Sequence, residues 1–198
     1  MAPPRCQVLS LHPHEGRSAP SALLVVAMQQ VHAGLLTPLG TAGPTESLTL
    51  LLKEWRGGEG CIVHVRHFSR KADASCRAGR PEADFLPCAT PLPGERVVTT
   101  HVDDPFVDTD LDTWLRRHGG AHLVVAGVTT TGAIMTLTRH ALSLGFDVTV
   151  VADACADQAL LALDGTRWEA STMHGLGLAL LERQGAEISS VRDVHRTC

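Results

Sequence analysis

The chain has 198 residues, of which 44% are hydrophobic and 19% charged, and its formal net charge is −4 at pH 7. This size and composition are typical of one ordinary globular α/β domain. The weak negative charge argues against nucleic acid or an anionic membrane as a partner, and no apolar run in the sequence reaches the length of a membrane span.

Six cysteines are spread along the chain without a CxxC pair, at positions 6, 61, 76, 88, 155 and 198. This spacing contains no metal or redox motif, and the opening MAPPRCQVLSLHPHEG has no apolar signal-peptide core. A cytoplasmic protein with reduced thiols is the simplest interpretation. Residues 1–20 are predicted to be loosely ordered, apart from a short strand at QVLSL, in front of a single domain at 21–198.

From residue 21 onward, apolar strand patterns alternate with helical patterns. The predicted strands cover 22–28, 60–68, 96–102, 122–128, 146–153 and the final AEISSV segment. The predicted helices cover 45–58, 109–120, 130–145 and 166–185. Thr45 is the candidate N-cap of the first helix. The segment 69–94 is a long polar loop of a kind that often carries function.

The uninterrupted Val, Ile and Leu runs in these strands predict a sheet that is buried on both faces. We therefore expect a doubly wound α/β fold, with a mainly parallel, six-stranded, Rossmann-like sheet and helices on both faces. Ligands bind such folds beyond the carboxyl ends of the strands. The segments that follow the predicted strands are 27–32, 66–70, 100–106, 128–133 and 153–158.

These segments resemble the isochorismatase-like hydrolases, also called the cysteine hydrolase superfamily, and the resemblance covers 21–194. LLVVAMQQ is similar to the family's Leu-Leu-Val-Val-Asp-Met-Gln opening. VRHF is followed, in the family's order, by a Gly-bearing loop and by PLPGE. LVVAGVTTTGAIMTLTRHALSLGFDVTVVADACAD resembles the most specific segment, a Gly-Val-x-Thr turn, a helix and a strand that ends in Asp-Ala. The resemblance implies the isochorismatase-like fold, a cis peptide bond between Val128 and Thr129, and a homodimer or larger homo-oligomer.

The family's chemistry depends on three residues, and the resemblance implies that all three are replaced here. The acid–base Asp falls on Ala27, the supporting Lys on Thr100 and the nucleophilic Cys on Ala133. Covalent amide hydrolysis is not expected, because alanine has no nucleophilic or titratable atom. Isochorismatase activity would need another proton donor, since the loss of a general acid costs roughly 10²–10⁴ in rate.

Two histidines are candidate replacements for the missing catalytic groups. His32 follows the first strand and has a useful pKa range, or it simply stacks where the family has an aromatic residue. His101 follows Thr100 and could replace the Lys as a donor, or it faces outward from a loop. His67 ends the second strand, where structural anchoring beside the substrate is the favoured role.

The remaining predicted contacts bind substrate and do not react with it: Ala27, His67, Thr100, Phe106, Thr130, Gly132 and Ala133. Thr130 or Thr131 is expected to cap the 130–145 helix. The amides of Gly132 and Ala133 would then point into the pocket as an anion-binding or oxyanion site. The basic residues of 69–80, with Arg66 nearby, form either a carboxylate-binding group or an ordinary solvated loop.

Four other residues near the strand ends have simpler interpretations. Asp103 and Asp104 are expected in a solvated turn, Asp153 as a cap for amides in the 153–158 turn, and Cys155 as a structural thiol.

The family's nicotinamidases bind their metal through an Asp-x-His motif, but this chain reads Arg-His-Phe at 66–68. We therefore expect neither a metal nor a cofactor.

Two functions remain open. One is a repurposed enzyme of a biosynthetic pathway that isomerises, cyclises, eliminates from or hydrolyses a small molecule without a covalent intermediate, in a preorganised pocket. The other is a catalytically inactive relative that binds a ligand or acts as an oligomeric scaffold. The small replacing residues favour the enzyme because they leave space. A pocket filled by Phe106 or Trp168 would favour the scaffold.

Overall fold

The central element is a parallel sheet, which has six strands within the residues that the structure describes. This computed structural model describes residues 21–36, 43–118 and 120–194. The strands of the sheet are β1 (Ser21–Val26), β2 (Cys61–His67), β3 (Arg96–Thr100), β4 (His122–Val128), β5 (Asp147–Ala156) and β8 (Glu187–Ser189). Their order is β3-β2-β1-β4-β5-β8. The short strands β6 (Leu160–Leu161) and β7 (Arg167–Trp168) form a separate antiparallel pair.

Strand β1 lies in the middle of the sheet, and all of its residues are buried. Its last residue, Val26, is in register with Val65 of β2 and with Gly127 of β4. Gly127 has a φ of 132°, and a Cβ atom there would lie 2.0 Å from the carbonyl oxygen of Val26. Only glycine therefore allows β4 to approach β1 this closely.

Five helices accompany the sheet in the described part of the chain: α1 (Pro44–Gly57), α2 (Leu111–His118), α3 (Met135–Ser143), α4 (Ala170–Arg183) and α5 (Val191–Val194). The chain runs from β1 outward to β3 and then returns to β4 on the other side of β1. Right-handed crossovers put helices on opposite faces before and after this return. The predicted doubly wound α/β fold is confirmed, and its switch point lies between β1 and β4.

The fourth predicted helix begins later than the sequence pattern indicated. Helix α4 starts at Ala170, because Arg167 and Trp168 pair with Leu161 and Leu160 in the β6–β7 hairpin. The prediction that the helix starts at 166 is therefore wrong. The first residues of the predicted helix belong instead to the short strand β7, which pairs with Leu160 and Leu161 of β6.

Two other helix starts differ from the prediction. Helix α1 begins at Pro44 with Gly43 as its N-cap, so Thr45 lies inside the first turn. Proline suits this position because its missing N–H would have no partner there. The segment predicted as the start of a helix at 130 is a single wide turn, Thr130–Ile134, that leads into α3. The loosely ordered segment 1–20 and its QVLSL strand lie outside the described residues.

Candidate functional site

A cavity of about 140 Å³ lies at the carboxyl edge of the sheet, beyond the switch point between β1 and β4. Its wall comes from the ends of β1 to β4, from the turn before α3 and from the loop 69–94. The lining residues are Val26, Ala27, His32, Val65, His67, Cys76, Thr100, Val102, Asp103, Val128, Thr129 and Ala133. This is the edge at which the sequence pattern predicted a site.

Ala27, Thr100 and Ala133 all lie in the wall of this one cavity. Ala27 directly follows β1, and its amide donates to the carbonyl oxygen of Val65 (2.8 Å). Its φ of 51° lies in the left-handed region, which is uncommon for alanine. The hydroxyl proton of Thr100 is used within its own turn, because the hydroxyl donates to Val102 O (2.8 Å) and also accepts from Val102 N (3.1 Å).

Gln29 holds the ends of β1 and β2 together, a role that the sequence reasoning missed. Its side chain is fully buried. The amide nitrogen donates to Ala83 O (2.7 Å) and His67 O (3.1 Å), and the amide oxygen accepts from His67 N (2.8 Å). A Gln directly after a buried strand could have indicated this role, since a buried amide must find backbone partners. Gln29 thereby fixes the backbone of His67 beside the cavity.

His32 and His67 both line the cavity, and His67 is close enough to affect the pKa of His32. His32 lies on the short 3₁₀ helix Gln30–Leu36 that follows β1. Burial lowers the pKa of His32, and the nearby His67 lowers it further. His67 Nδ1 is buried without a hydrogen-bond partner among the described residues. The cavity wall therefore contains the His32 imidazole, whose pKa is lowered, and the unpaired Nδ1 of His67.

His101 and Phe106 lie outside the wall of the cavity, unlike the sequence expectation. The ring of His101 is exposed, and its Nδ1 donates to the carbonyl oxygen of Phe68 (2.7 Å). The ring of Phe106 stacks on Phe146, with ring centroids 6.1 Å apart, and also meets His140 at 5.2 Å. Phe106 therefore belongs to the hydrophobic core next to the site.

The turn before α3 is built differently from the predicted capped helix. Thr130 does not cap it, because its hydroxyl donates to Ala156 O (3.1 Å) and lies 2.7 Å from Nδ1 of His174. The carboxylate of Asp157 instead accepts from the amide of Thr131 (2.7 Å). These contacts keep Thr130 beneath the turn and outside the cavity wall.

The amide of Gly132 does not point into the cavity, because it donates to the carbonyl oxygen of Thr129 (3.2 Å). Gly132 also lies outside the cavity wall, whereas its neighbour Ala133 lies within it. A Cβ atom at Gly132 would lie 2.4 Å from the hydroxyl of Thr129. The peptide bond between Val128 and Thr129 is cis, as the resemblance implied.

The two acidic residues that follow β3 differ from each other. Asp103 is exposed at the cavity and has no hydrogen-bond or ion-pair partner among the described residues. Asp104 is largely buried, accepts from the amide of Phe106 (3.0 Å) and pairs with His140 (2.7 Å). The prediction of a solvated turn is therefore wrong for Asp104.

The basic loop residues do not converge on the cavity, so the structure agrees with the solvated-loop interpretation. Arg66 donates to the hydroxyl of Thr99 (2.9 Å), and its guanidinium lies 4.6 Å from the ring centroid of Phe68. Arg77 donates to the carbonyl oxygen of Ala72 (3.3 Å). The loop nevertheless contributes Cys76 to the cavity wall, which the sequence reasoning did not foresee.

Asp153 and Cys155 both lie on β5, away from the cavity wall. Asp153 accepts from the amide of Val191 (2.8 Å) at the start of α5, and it does not cap the 153–158 turn as predicted. Burial raises the pKa of the Cys155 thiol to about 12. A thiol held in this neutral state is a poor nucleophile, which agrees with its predicted structural role.

Within the described residues, no group of three or more His, Cys, Asp or Glu side chains is arranged to hold a metal ion. None of the described helices has both the length and the apolar character that crossing a membrane requires.

Several known proteins that are similar to this chain are described as members of one family. The family model described as Isochorismatase domain matches residues 21–192. The chain is 27% identical to the uncharacterized isochorismatase family protein YrdC of Bacillus subtilis (strain 168), over 72% of this chain and 76% of YrdC. It is also 27% identical to the secreted isochorismatase effector Isc1 of Verticillium dahliae, over 81% of this chain and 85% of Isc1. A crystal structure of an isochorismatase-family protein from Chromobacterium violaceum superposes with a TM-score of 0.83, at 27% identity, over 100% of this chain and 98% of that one.

Proposed function

The chain belongs to the isochorismatase family, and we propose that it is a small-molecule enzyme of a biosynthetic pathway that works without a covalent cysteine intermediate. One observation carries the proposal: the open cavity at the switch point is lined by Ala27, Thr100 and Ala133 together with His32. Neither Phe106 nor Trp168 lines this cavity. The space favours ligand binding over a purely structural scaffold.

In this proposal Ala27, Thr100 and Ala133 stand where the family's Asp, Lys and Cys act. The left-handed backbone of Ala27 supports the first assignment, because Asp and Asn adopt this conformation more readily than alanine does. Ala133 borders the cavity directly after the wide turn but offers no nucleophile. Thr100 has no free hydroxyl donor, because its proton is given to Val102 O.

His32 is the proposed general base, with His67 beside it. Because burial and His67 lower its pKa, the His32 imidazole is neutral at pH 7 and can accept a proton. A neutral base suits isomerisation or elimination, since both can begin with removal of a proton from the substrate. Hydrolysis with a poor leaving group is less favoured, because it needs a proton donor.

A homo-oligomer and a cytoplasmic location are further parts of the proposal. The α4 face carries exposed apolar side chains, including Leu176 (50% exposed) and Leu180 (37%), each directly preceded by a small exposed residue, Gly175 and Ala179. Such a face supports packing against the same helix of a second copy. The free thiols within the described residues support a reducing compartment.

Mass spectrometry of biosynthetic intermediates incubated with the protein tests the proposal. We expect at least one compound to be converted, and we expect His32→Ala to lower its rate roughly 10²–10⁴-fold. His101→Ala is the matched control, because this ring is exposed outside the cavity. Full turnover by His32→Ala would remove the proposed base. If nothing is converted but a compound binds, the ligand-binding alternative replaces the enzyme.

A further inference from the structure

The cavity has the size of a single ring. Its volume is about 140 Å³, and an apolar protein cavity of about 150 Å³ is large enough to hold benzene. Drug-sized ligands occupy larger pockets, on the order of 300–1,000 Å³. The part of a ligand that enters this cavity is therefore one ring or a group of similar volume.

Part of the inner wall of the cavity is apolar, although His32, His67 and Thr100 also line it. Val26, Val65 and Val128 come from the ends of three neighbouring strands, and each is almost completely buried. Ala27 and Ala133 add only methyl groups. A charged group pushed against these apolar side chains would lose its hydration and gain no ionic partner from them, which is costly. The enclosed part of the ligand is therefore uncharged.

The only formal charge in the described part of the wall is negative. No Lys or Arg lines the cavity among the described residues, whereas Asp103 does. The neighbouring Asp104 is hydrogen-bonded to the His140 ring (2.7 Å), but Asp103 has no such partner among the described residues. Two basic residues that adjoin lining residues in the sequence are engaged elsewhere, with Arg66 stacked on Phe68 and Arg77 bonded within its own loop.

Asp103 also lies where a ligand would meet solvent. Asp103 and the adjacent Val102 are the exposed members of the lining set, so they mark the opening. A ring in the apolar interior could therefore keep a polar group at the opening, next to this carboxylate.

From the size, the apolar interior and this single charge, we infer that the cavity takes a single-ring compound whose charged group, held at the opening by Asp103, is cationic. The inference rests on the proposed function, because it assumes that this cavity is the functional site. It predicts that amine or amidine compounds bind and that ring carboxylates bind more weakly.

Three probes of one shape and three charges test this inference: benzamidine, benzamide and benzoate. Ligand-observed NMR titrations at pH 7 would give their dissociation constants for the full-length protein. We expect benzamidine to bind roughly two- to fivefold tighter than benzamide, as for a charge pair at an exposed site. We expect benzoate to bind weaker than benzamide, because its carboxylate at the opening would lie beside the like charge of Asp103.

Two variants assign any preference to the carboxylate. Asp103→Asn should make benzamidine and benzamide bind equally, and it should leave the affinity for benzamide unchanged. Asp73→Asn is the matched control, because Asp73 is an exposed loop residue that does not line the cavity. This control should keep the preference for benzamidine.

The inference is overturned if benzoate binds as tightly as benzamide, if none of the three probes binds, or if Asp103→Asn keeps the preference. These results are separate from the test of the proposed function. A protein that binds benzamidine through Asp103 but converts no compound would refute the enzyme and leave the charge preference intact. Conversion of a ring carboxylate would support the enzyme and refute the inferred ligand class.

Discussion

Two carboxylates, Glu95 and Asp103, occupy opposite kinds of environment in this molecule. Glu95 receives the guanidinium of Arg56 (2.6 and 3.1 Å), the His64 ring (2.8 Å) and the amide of Leu92 (2.8 Å). Asp103, at the opening of the cavity, has none of these partners within the described residues. A carboxylate whose oxygens are all occupied stabilises the fold, whereas an unpaired one at a cavity is free to bind a ligand. We therefore expect substitution of Glu95 to change mainly stability and substitution of Asp103 to change mainly ligand binding.

Removing the charge of Glu95 should have the largest effect on stability. Glu95→Gln leaves the Arg56 guanidinium without its anion and the fully buried His64 ring without its carboxylate partner. Because Arg56 is partly exposed, we expect a loss of about 1.5–3 kcal/mol. Urea unfolding at pH 7 measures the loss. Glu82→Gln is the matched control, because Glu82 is exposed and should change stability by less than about 0.5 kcal/mol. Equal stability of both variants would contradict the role of the cluster.

The same carboxylate predicts how stability depends on pH. Burial alone would raise the pKa of Glu95, but the hydrogen bonds from Arg56, Leu92 and His64 outweigh it and lower the pKa from 4.5 to about 2. The contribution of Glu95 is therefore complete above pH 4.5 and is lost as pH falls towards 2. The difference amounts to about 3 kcal/mol. Urea unfolding at several pH values measures this. Between pH 4.5 and 2, the free energy of unfolding of Glu95→Gln should change less with pH than that of the wild type.

Filling the cavity should abolish binding without a large loss of stability. Ala133→Leu adds three carbon atoms to a wall that encloses about 140 Å³. We expect turnover and ring binding to fall more than about 100-fold, with a change in stability below about 1.5 kcal/mol. Ala72→Leu, at an exposed loop residue, should leave both unchanged. Undiminished turnover in Ala133→Leu would mean that the cavity is not the site.

A charge on the exposed α4 face should break the proposed oligomer. Leu176→Glu puts a carboxylate into an apolar contact, and light scattering after gel filtration should then give the monomer mass. Leu50→Glu on α1 is the matched control, because Leu50 is 52% exposed and Leu176 is 50% exposed. If both variants keep the wild-type mass, the oligomer does not form through α4.

The smallest expected effect tests the backbone at Ala27. Ala27→Gly removes the Cβ from a residue with a φ of 51°, which relieves about 1–2 kcal/mol but adds about 0.4–1 kcal/mol of unfolded-state entropy. Unfolding should show unchanged or slightly higher stability. Ala179→Gly, in the middle of α4, should instead lose about 1 kcal/mol. Equal losses in both variants would show that the left-handed conformation carries no strain.

The fold was predictable because it follows from local patterns. Apolar runs between helical patterns identified the six sheet strands, and parallel strands then define one edge as the binding edge. That logic brought Ala27, His32, Thr100 and Ala133 to one cavity.

The orientation of individual side chains was not predictable, because it depends on partners distant in sequence. The His101 ring donates to the carbonyl oxygen of Phe68, and the Phe106 ring stacks on Phe146. The Thr130 hydroxyl donates to the carbonyl oxygen of Ala156. Cys76 reaches the cavity through a loop with no regular pattern, although its position is fixed by a hydrogen bond between Ser69 N and Cys76 O (3.0 Å).

The central claim is that conversion at this cavity needs no covalent bond to a cysteine. Intact-protein mass spectrometry of a quenched reaction tests it most directly, with the wild type and with Cys76→Ala, which removes the only cysteine in the described cavity wall. The account predicts an unmodified protein mass during turnover and a rate for Cys76→Ala within roughly threefold of the wild type. A substrate-sized mass increase that disappears in Cys76→Ala together with turnover would contradict it.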